Sequence, residues 1–305
     1  LIKGLNMLES LQHLIKLPAK EQEVFARLIQ TERKRLIRSP KETAAIATRD
    51  NQKMIYDLLS TNQISKAIML LRQLSYDEFL KEESIFNGEI LGQIGTQFQA
   101  PKVLLKSVSE SLQSFSGLSQ ADFVSKVSQA FGAYAGAISP YIYQLCLSNT
   151  QSRRSRAGKV FEGIVYFLYE HFDFAYESQS SIGNKTFTEL KLGKVVDSIL
   201  PSTQAFTEFR AKTIVGSMKT TLRERWQEVV EEVSRSNLPN IYLLTVDEDI
   251  SESKAEQMAQ HNIVLVVLGS VKAKAKLMNK RSIIDFETYF LKEIPKVMDY
   301  WRESK

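Results

Sequence analysis

The chain has 305 residues, 43% hydrophobic and 25% charged, with 40 Lys and Arg against 35 Asp and Glu. That length supports one large or two ordinary domains with a real core, and the composition is that of a soluble globular protein. The net charge of +5 permits a polyanionic partner without requiring one, and the single cysteine, Cys146, excludes an intrachain disulfide and a cysteine metal cluster and fits a reducing cytoplasm.

The first residues alternate polar and apolar instead of building a signal peptide. The longest apolar run, Ile263 to Leu268, is too short to span a bilayer, so a cytoplasmic protein with no membrane partner is expected. Residues 1–150 read almost entirely as helix. Leu5, Leu8, Leu11, Leu14 and Ile15 share one face, and Val24, Phe25, Leu28 and Ile29 form another stripe after Pro18. Arg33, Lys34, Arg35, Arg38 and Lys41 form a basic cluster that suits either phosphate contact or a solvated helix end. Ile55, Leu58, Leu59, Ile68, Leu70 and Leu71 continue the helical period. Between Asn87 and Pro101 three glycines and a terminal proline predict a flexible loop that displays Phe98. No strand precedes these glycines and no Lys-Ser/Thr follows, so they make no phosphate-binding loop. Helices resume over about Val103 to Leu147.

A second basic run, Arg153 to Lys159, stands before an apolar helix carrying Phe161, Ile164, Val165, Phe167 and Leu168, with Glu162 near its start. The texture then changes. Lys194–Pro201, Lys212–Lys219, Ile241–Val246 and Ile263–Leu268 read as strands, and the last two each follow a helix. The order predicts an α/β fold, a mixed β-sheet flanked by helices with a mainly α-helical N-terminal part. No internal repeat or low-complexity segment is present.

Thr221 followed by Glu224 has the form of a capping box, and Leu222, Trp226, Val229, Val230 and Val233 recur at helical spacing, which predicts a helix from near Leu222. Its first turn would present Arg223, Glu224 and Arg225. Arg pairs bidentately with guanine O6 and N7, and Glu accepts from cytosine N4, so this triplet suits adjacent G·C pairs in a major groove. A salt-bridged, solvated helix end is the alternative.

The candidate chemistry rests on Asp197, Lys219 and Glu232. Asp197 sits in a β-type apolar run, where a carboxylate needs a reason to be, and a metal is one. Lys219 ends the following strand and Glu232 lies on the next helix. A metal-binding Asp, a helical Glu and a Lys beside a scissile phosphate would make a Mg²⁺-dependent phosphodiesterase. The alternative makes Asp197 a turn residue and Glu232 a surface charge. A rival triplet, Asp197 with Glu208 and Arg210, puts Arg where Lys is wanted. His13, His171 and His261 lack the mutual spacing of a metal site and read as structural, and Ser155 and Ser217 have no nearby His to activate them.

Val195-Val196-Asp197, then Ser217-Met218-Lys219, then Glu232, with Thr-Thr-Leu-Arg-Glu-Arg-Trp between, resembles the PD-(D/E)xK restriction endonucleases that read CCGG, CCNGG or CCWGG. Ser155 to Glu162 is similar to the helix of the same family, and the resemblance covers roughly residues 150–246. It implies a restriction-endonuclease-like sheet, with residues 1–150 a helical region for dimerisation and DNA contacts and 151–305 the nuclease core. It implies that Asp197, Lys219 and Glu232 form the catalytic site with Glu162 as an additional acid, and that Asp197 and Glu232 hold Mg²⁺. It further implies that Arg223, Glu224 and Arg225 read C·G pairs while Gln151 reads the minor groove. The partner would be double-stranded DNA with a CC/GG core, cut by a prokaryotic homodimer. Several members extrude the central nucleotides of an interrupted site onto an aromatic ring, a role for which Phe98 is the candidate. No Pro precedes Asp197, and Ser217 stands where the general pattern has its second acid, a carboxylate this branch moves to the helix as Glu232. A DNA-binding protein without catalysis and a non-specific repair nuclease of the same fold are the alternatives.

Overall fold

The computed structural model describes residues 17–303 except Ser116, Lys191, Lys194, Glu224, Arg225 and Asn237; the side chains of Ala100, Asn184, Thr186, Glu232, Ser234 and Arg235 are likewise outside the description. The stripe expected over Leu5 to Ile15 falls outside it as well. The chain divides into two units, one of residues 1–39 and 77–155, the other of residues 40–76 and 156–305. The change of texture near residue 150 lies inside a single helix, Ser139–His171. The division is thus not a cut at that point, because residues 40–76 belong with the C-terminal sheet.

The first unit is helical. Helix α1 spans Ala19–Leu36, and after α2 (Pro40–Asp50) and α3 (Gln52–Ser60) of the other unit comes the long α4 (Ile64–Gln97), followed by α5 (Gln99–Gln113), α6 (Gln120–Ala137) and α7 (Ser139–His171). Its core gathers Phe25 and Ile29 with Phe86, Ile90, Ile94, Phe98, Tyr141 and Leu145. Glu82 and Glu83 are buried, and each is matched by an arginine, Arg38 and Arg153 respectively. Arg33 lies with its guanidinium 4.5 Å from the Phe86 ring centroid and donates to Asn149 Oδ1 at 2.7 Å. Much of the first basic cluster is therefore structural.

Residues 87–97 continue α4 as helix, and Phe98 caps α5 with extended backbone. The loop expected there is not formed. Phe86, Ile90 and Ile94 keep a buried stripe at spacings of four, and that burial outweighs a glycine cost of roughly 1 kcal/mol per position. Pro101 falls in the first turn of α5, where its missing N–H is not needed. Phe98 is 4% exposed, with its ring centroid 5.7 Å from Phe25 and 4.9 Å from Tyr141. It is a core anchor, not a displayed ring.

The second unit holds a six-stranded mixed sheet in the order β1 (Glu177–Ser178), β2 (Ser198–Leu200), β3 (Ile214–Lys219), β4 (Ile241–Thr245), β5 (Ile263–Val267), β6 (Ile283–Asp285). The first three pair antiparallel and the last four parallel. Parallel neighbours need crossovers, supplied by α8 (Trp226–Ser236) between β3 and β4 and α9 (Glu252–Gln260) between β4 and β5. Every residue of β4 is buried, as expected of a strand covered on both faces. Phe161, Ile164, Val165 and Leu168 of α7 join this core, as do Ile55, Leu59, Ile64 and Ile68 of α3 and α4. Ser65 ties α4 to the far end of the chain: its N–H and Oγ each donate at 2.7 Å to the Glu287 carboxylate, and its Oγ accepts from Gly269 N–H at 2.9 Å.

Truncating Phe98 to Ala should destabilise the helical unit by about 3–5 kcal/mol, the range for emptying a buried aromatic site. Chemical denaturation followed by far-UV circular dichroism would measure it, and a loss below about 1 kcal/mol would contradict the anchor role.

Candidate active site

The site forms at the carboxyl ends of β3 and β4. Asp197 immediately precedes β2, and its N–H donates to Gly216 O at 2.8 Å, so the antiparallel pairing places its carboxylate against β3. Oδ2 accepts from Met218 N–H at 2.6 Å and lies 3.8 Å from Lys219 Nζ. Lys219 is the last residue of β3. The Asp197 side chain is 12% exposed and that of Lys219 14%. Burial pushes the Asp197 carboxyl up to about 6; Lys219 and the Met218 N–H pull it down, while the Glu162 charge adds to the rise. Asp197 thus sits where its ionised form is costly and a further cation is welcome.

Glu162, on α7, binds Lys159 Nζ through Oε2 at 2.8 Å. Tyr166, one turn further, donates to Asp197 O at 2.9 Å, and its ring stacks on Tyr176 at 5.3 Å. Its hydroxyl is held well above the ordinary tyrosine range by burial first and then by the charges of Asp197 and Glu162. Tyr166 is a site residue that sequence patterning misses, since a tyrosine four residues after an acid reads as ordinary helix packing.

The segment after β3 departs from its sequence reading. Leu222 is not helical, and Arg223 turns through φ +28°, a left-handed conformation no helix start adopts. Leu222 N–H donates to Asp247 Oδ2 at 2.7 Å instead of opening a helix. Asp247 is itself fixed: its N–H donates to Thr245 Oγ1 at 3.1 Å, and its Oδ1 accepts from Asp249 N–H at 3.0 Å. Lys219 pairs with Thr245 in the sheet register. The described helix, Trp226–Ser236, buries Val229 and Val233 as the expected stripe requires. Arg223 is exposed, whereas Glu224 and Arg225 lie outside the described residues. Asp247 was also missed by sequence reading, being 25 positions from the amide it holds.

Glu232 lies on α8, the helix that follows Lys219, with its side chain outside the description. Among the described residues no group of three metal-ligating side chains assembles. Asp197 and Glu162 are the acids whose charges interact there, and buried carboxylate oxygens suit a hard divalent cation. Ser217, where the general pattern has its second acid, is fully buried, and its Oγ has no hydrogen-bond partner. The rival triplet fails: Glu208 is exposed at the end of a short helix, and Arg210 is spent on Ser236 O at 3.2 Å and on the Phe206 ring. Gln151 is exposed on α7. Phe98 is enclosed by Phe25 and Tyr141 and offers no free face for a base. No helix among the described residues is long and apolar enough to cross a membrane.

Residues 115–290 match the family described as EcoRII C terminal. The type II restriction enzyme SsoII of Shigella sonnei is 42% identical over 147 residues, 48% of this chain and 48% of that protein. The match thus spans about half the length of that curated relative. Metal-depleted Ecl18kI in complex with uncleaved, modified DNA is 28% identical with a TM-score of 0.71, over 92% of this chain and 85% of its own. The complex of restriction endonuclease PspGI with substrate DNA reaches a TM-score of 0.58 at 18% identity, over 87% and 94%, and shares the fold alone.

Two outcomes follow from the geometry. In metal-free protein, Asp197 should titrate near 6 instead of the ordinary 3.8, so the fold loses stability from this group as pH rises from about 4 through about 6. Glu162→Gln should move the titration down and Lys219→Met should move it up, read by carboxyl ¹³C NMR; no movement in either would contradict the coupling. Asp247→Ala should speed hydrogen exchange at the Leu222 amide by at least about tenfold, and Asp247→Asn, which keeps an acceptor, should restore much of the protection.

Proposed function

The chain belongs to the EcoRII C-terminal family, and from that footing we propose that it is a Mg²⁺-dependent, sequence-specific endonuclease cutting double-stranded DNA at a site with a CC/GG core such as CCNGG. The observation that carries this reading is the buried Asp197 carboxylate at the end of the mixed sheet, 3.8 Å from Lys219 Nζ and raised by burial first and then by the Glu162 charge. A module that only binds DNA needs no buried acid beside a lysine. Asp197 and Glu232 would hold the cation, with Glu162 as the additional acid. When bound, Mg²⁺ supplies Lewis-acid stabilisation of the charge that builds on the phosphate and makes water a stronger nucleophile.

The chain's own groups do the rest. Lys219, shielded from solvent, neutralises a nonbridging phosphate oxygen as charge develops, where a low dielectric makes its cation effective. The Met218 N–H fixes one Asp197 oxygen, so the carboxylate keeps its orientation with or without the cation. Arg223, Glu224 and Arg225 read the C·G pairs from the segment that Asp247 holds, and Gln151 contacts the minor groove. A palindromic site calls for a two-fold protein, hence a homodimer. Localisation in the prokaryotic cytoplasm accords with this activity. Any extrusion of central nucleotides would use a surface other than Phe98.

The reading is tested by digesting plasmid DNA with Mg²⁺ and mapping the ends. Asp197→Ala and Lys219→Ala should each abolish cleavage while specific binding in Ca²⁺ survives; a variant cutting within about tenfold of wild type would overturn the assignment. Arg223→Ala should lose discrimination at one base pair by roughly 1–3 kcal/mol, whereas equal weakening on specific and random DNA would make it a phosphate contact.

A further inference from the structure

Three tyrosine rings meet beside β1: Tyr166 and Tyr169 from α7, and Tyr176, which immediately precedes the strand. Each hydroxyl has its own partner. Tyr169 shares a hydrogen bond with Tyr289 at 2.8 Å, and Tyr176 donates to Glu170 Oε1 at 3.0 Å. Tyr166 donates instead to the main-chain carbonyl of Asp197 at 2.9 Å, so among the three it is the one tied to a candidate catalytic residue.

A buried tyrosine ordinarily gives its hydroxyl to whatever acceptor is at hand, and two observations separate Tyr166 from that case. The first is that its acceptor is already served. Asp197 O accepts from Gln179 N–H at 3.2 Å, one step beyond the β1–β2 pair of Ser178 and Ser198, and Asp197 N–H donates to Gly216 O at 2.8 Å. The ladder satisfies Asp197 on both sides, so the phenol is a second donor on one oxygen. The second is the origin of the donor. Tyr166 stands four residues after Glu162, on the same face of α7. Burial first, then the charges of Asp197 and Glu162, hold its hydroxyl above the ordinary tyrosine range, so it stays a donor at every working pH. Its ring is steadied by stacking on Tyr176 at 5.3 Å, with 15° between the planes.

We propose that Tyr166 is a positioning residue for the nuclease site, its hydroxyl pinning the Asp197 peptide to α7 and so fixing the separation of the Asp197 and Glu162 carboxylates. The inference rests on the nuclease reading above and deepens it. Without the phenol the sheet still holds Asp197 through Gln179 and Gly216; what the phenol adds is a bond from that peptide to the helix carrying Glu162. Mg²⁺ demands near-ideal geometry of its oxygens, so acids on two different elements bind it well only at a set separation.

Tyr166→Phe keeps the ring and its stack and removes only the bond. Tyr176→Phe is the control, removing a hydroxyl from the same stack without touching Asp197. Calorimetric titration of the full chain with Mn²⁺, free of DNA, should show a site that Asp197→Asn abolishes. Its Kd should rise at least about threefold in Tyr166→Phe and less than about twofold in Tyr176→Phe. For plasmid cleavage, kcat should fall at least about threefold in Tyr166→Phe with KM for DNA unchanged, because no contact to DNA is removed. A merely structural hydroxyl would lower the melting temperature in both variants and leave Mn²⁺ affinity alone. A smaller rise in Kd for Tyr166→Phe, an equal rise for Tyr176→Phe, or a wild type with no Asp197-dependent Mn²⁺ site would each overturn the positioning role, while specific cleavage by that wild type leaves the nuclease standing. A wild type that binds Mn²⁺ through Asp197, more weakly in Tyr166→Phe, yet cuts no DNA overturns only the nuclease.

Discussion

A carboxylate taken out of water is the constraint around which the C-terminal unit is arranged. The antiparallel pairing of β2 with β3 carries Asp197 against the Met218 amide, and its carbonyl accepts from the Tyr166 hydroxyl. Burial there favours the neutral acid, and one lysine at 3.8 Å only partly offsets it. A structural ion pair would satisfy the carboxylate more fully, with bidentate geometry or further donors. Asp197 has one amide, Lys219 at 3.8 Å and the charge of Lys159, and the Glu162 charge opposes them. The residual imbalance is what makes the place suited to a cation.

The strand that ends in Lys219 also leads into the segment proposed to read bases. A helix beginning at Leu222 would have aimed Arg223 along a helix axis, with the first-turn amides satisfied by a local cap. The amide of Leu222 is satisfied from β4 instead, by an aspartate that Thr245 orients in turn. Arg223 occupies a left-handed turn, a conformation that costs of order 1 kcal/mol or more for a non-glycine residue, directly after the amide that Asp247 holds. The direction of this arginine is set by the sheet, not by α8.

Much of this was legible in the sequence, and the failures have particular causes. Three of the four apolar runs declared strands of five or six residues, and the stripe of Val229 and Val233 declared α8; of the run Lys194–Pro201 only Ser198–Leu200 is strand, with Asp197 just before it. β1 and β6, of two and three residues, carry no period to detect. The glycines after Asn87 were read as a break because composition was weighed before period; Phe86, Ile90 and Ile94 keep the helical stripe through them. The helix start read at Thr221 was misplaced for a different reason: Leu222 and Arg223 are not helical, and the Leu222 amide is held by a contact from 25 residues away that no local pattern reveals. Asp197 and Lys219 were found because a charge inside a β-type run is conspicuous. Tyr166 and Asp247 were not, because a tyrosine in a helix and an aspartate after a strand are ordinary everywhere.

The same register that hides Asp247 from the sequence joins the segment proposed to read bases to the lysine proposed to meet the phosphate. Lys219 and Thr245 are paired in adjacent parallel strands, Asp247 stands two residues beyond Thr245, and Leu222 three beyond Lys219. The lysine proposed to meet the phosphate and the segment proposed to meet the bases are thus fixed to the ends of two neighbouring strands by one sheet pairing and two hydrogen bonds. Little in that path can stretch: β3 is buried along its length and β4 entirely so. A base pair that fails to accept Arg223 must therefore move the duplex, not the side chain's support, and the phosphate moves with it relative to Lys219. Because reaction rates fall steeply when reacting groups are displaced by even about 1 Å, discrimination in such an arrangement would appear in the rate of cleavage as well as in binding, without any separate switching element.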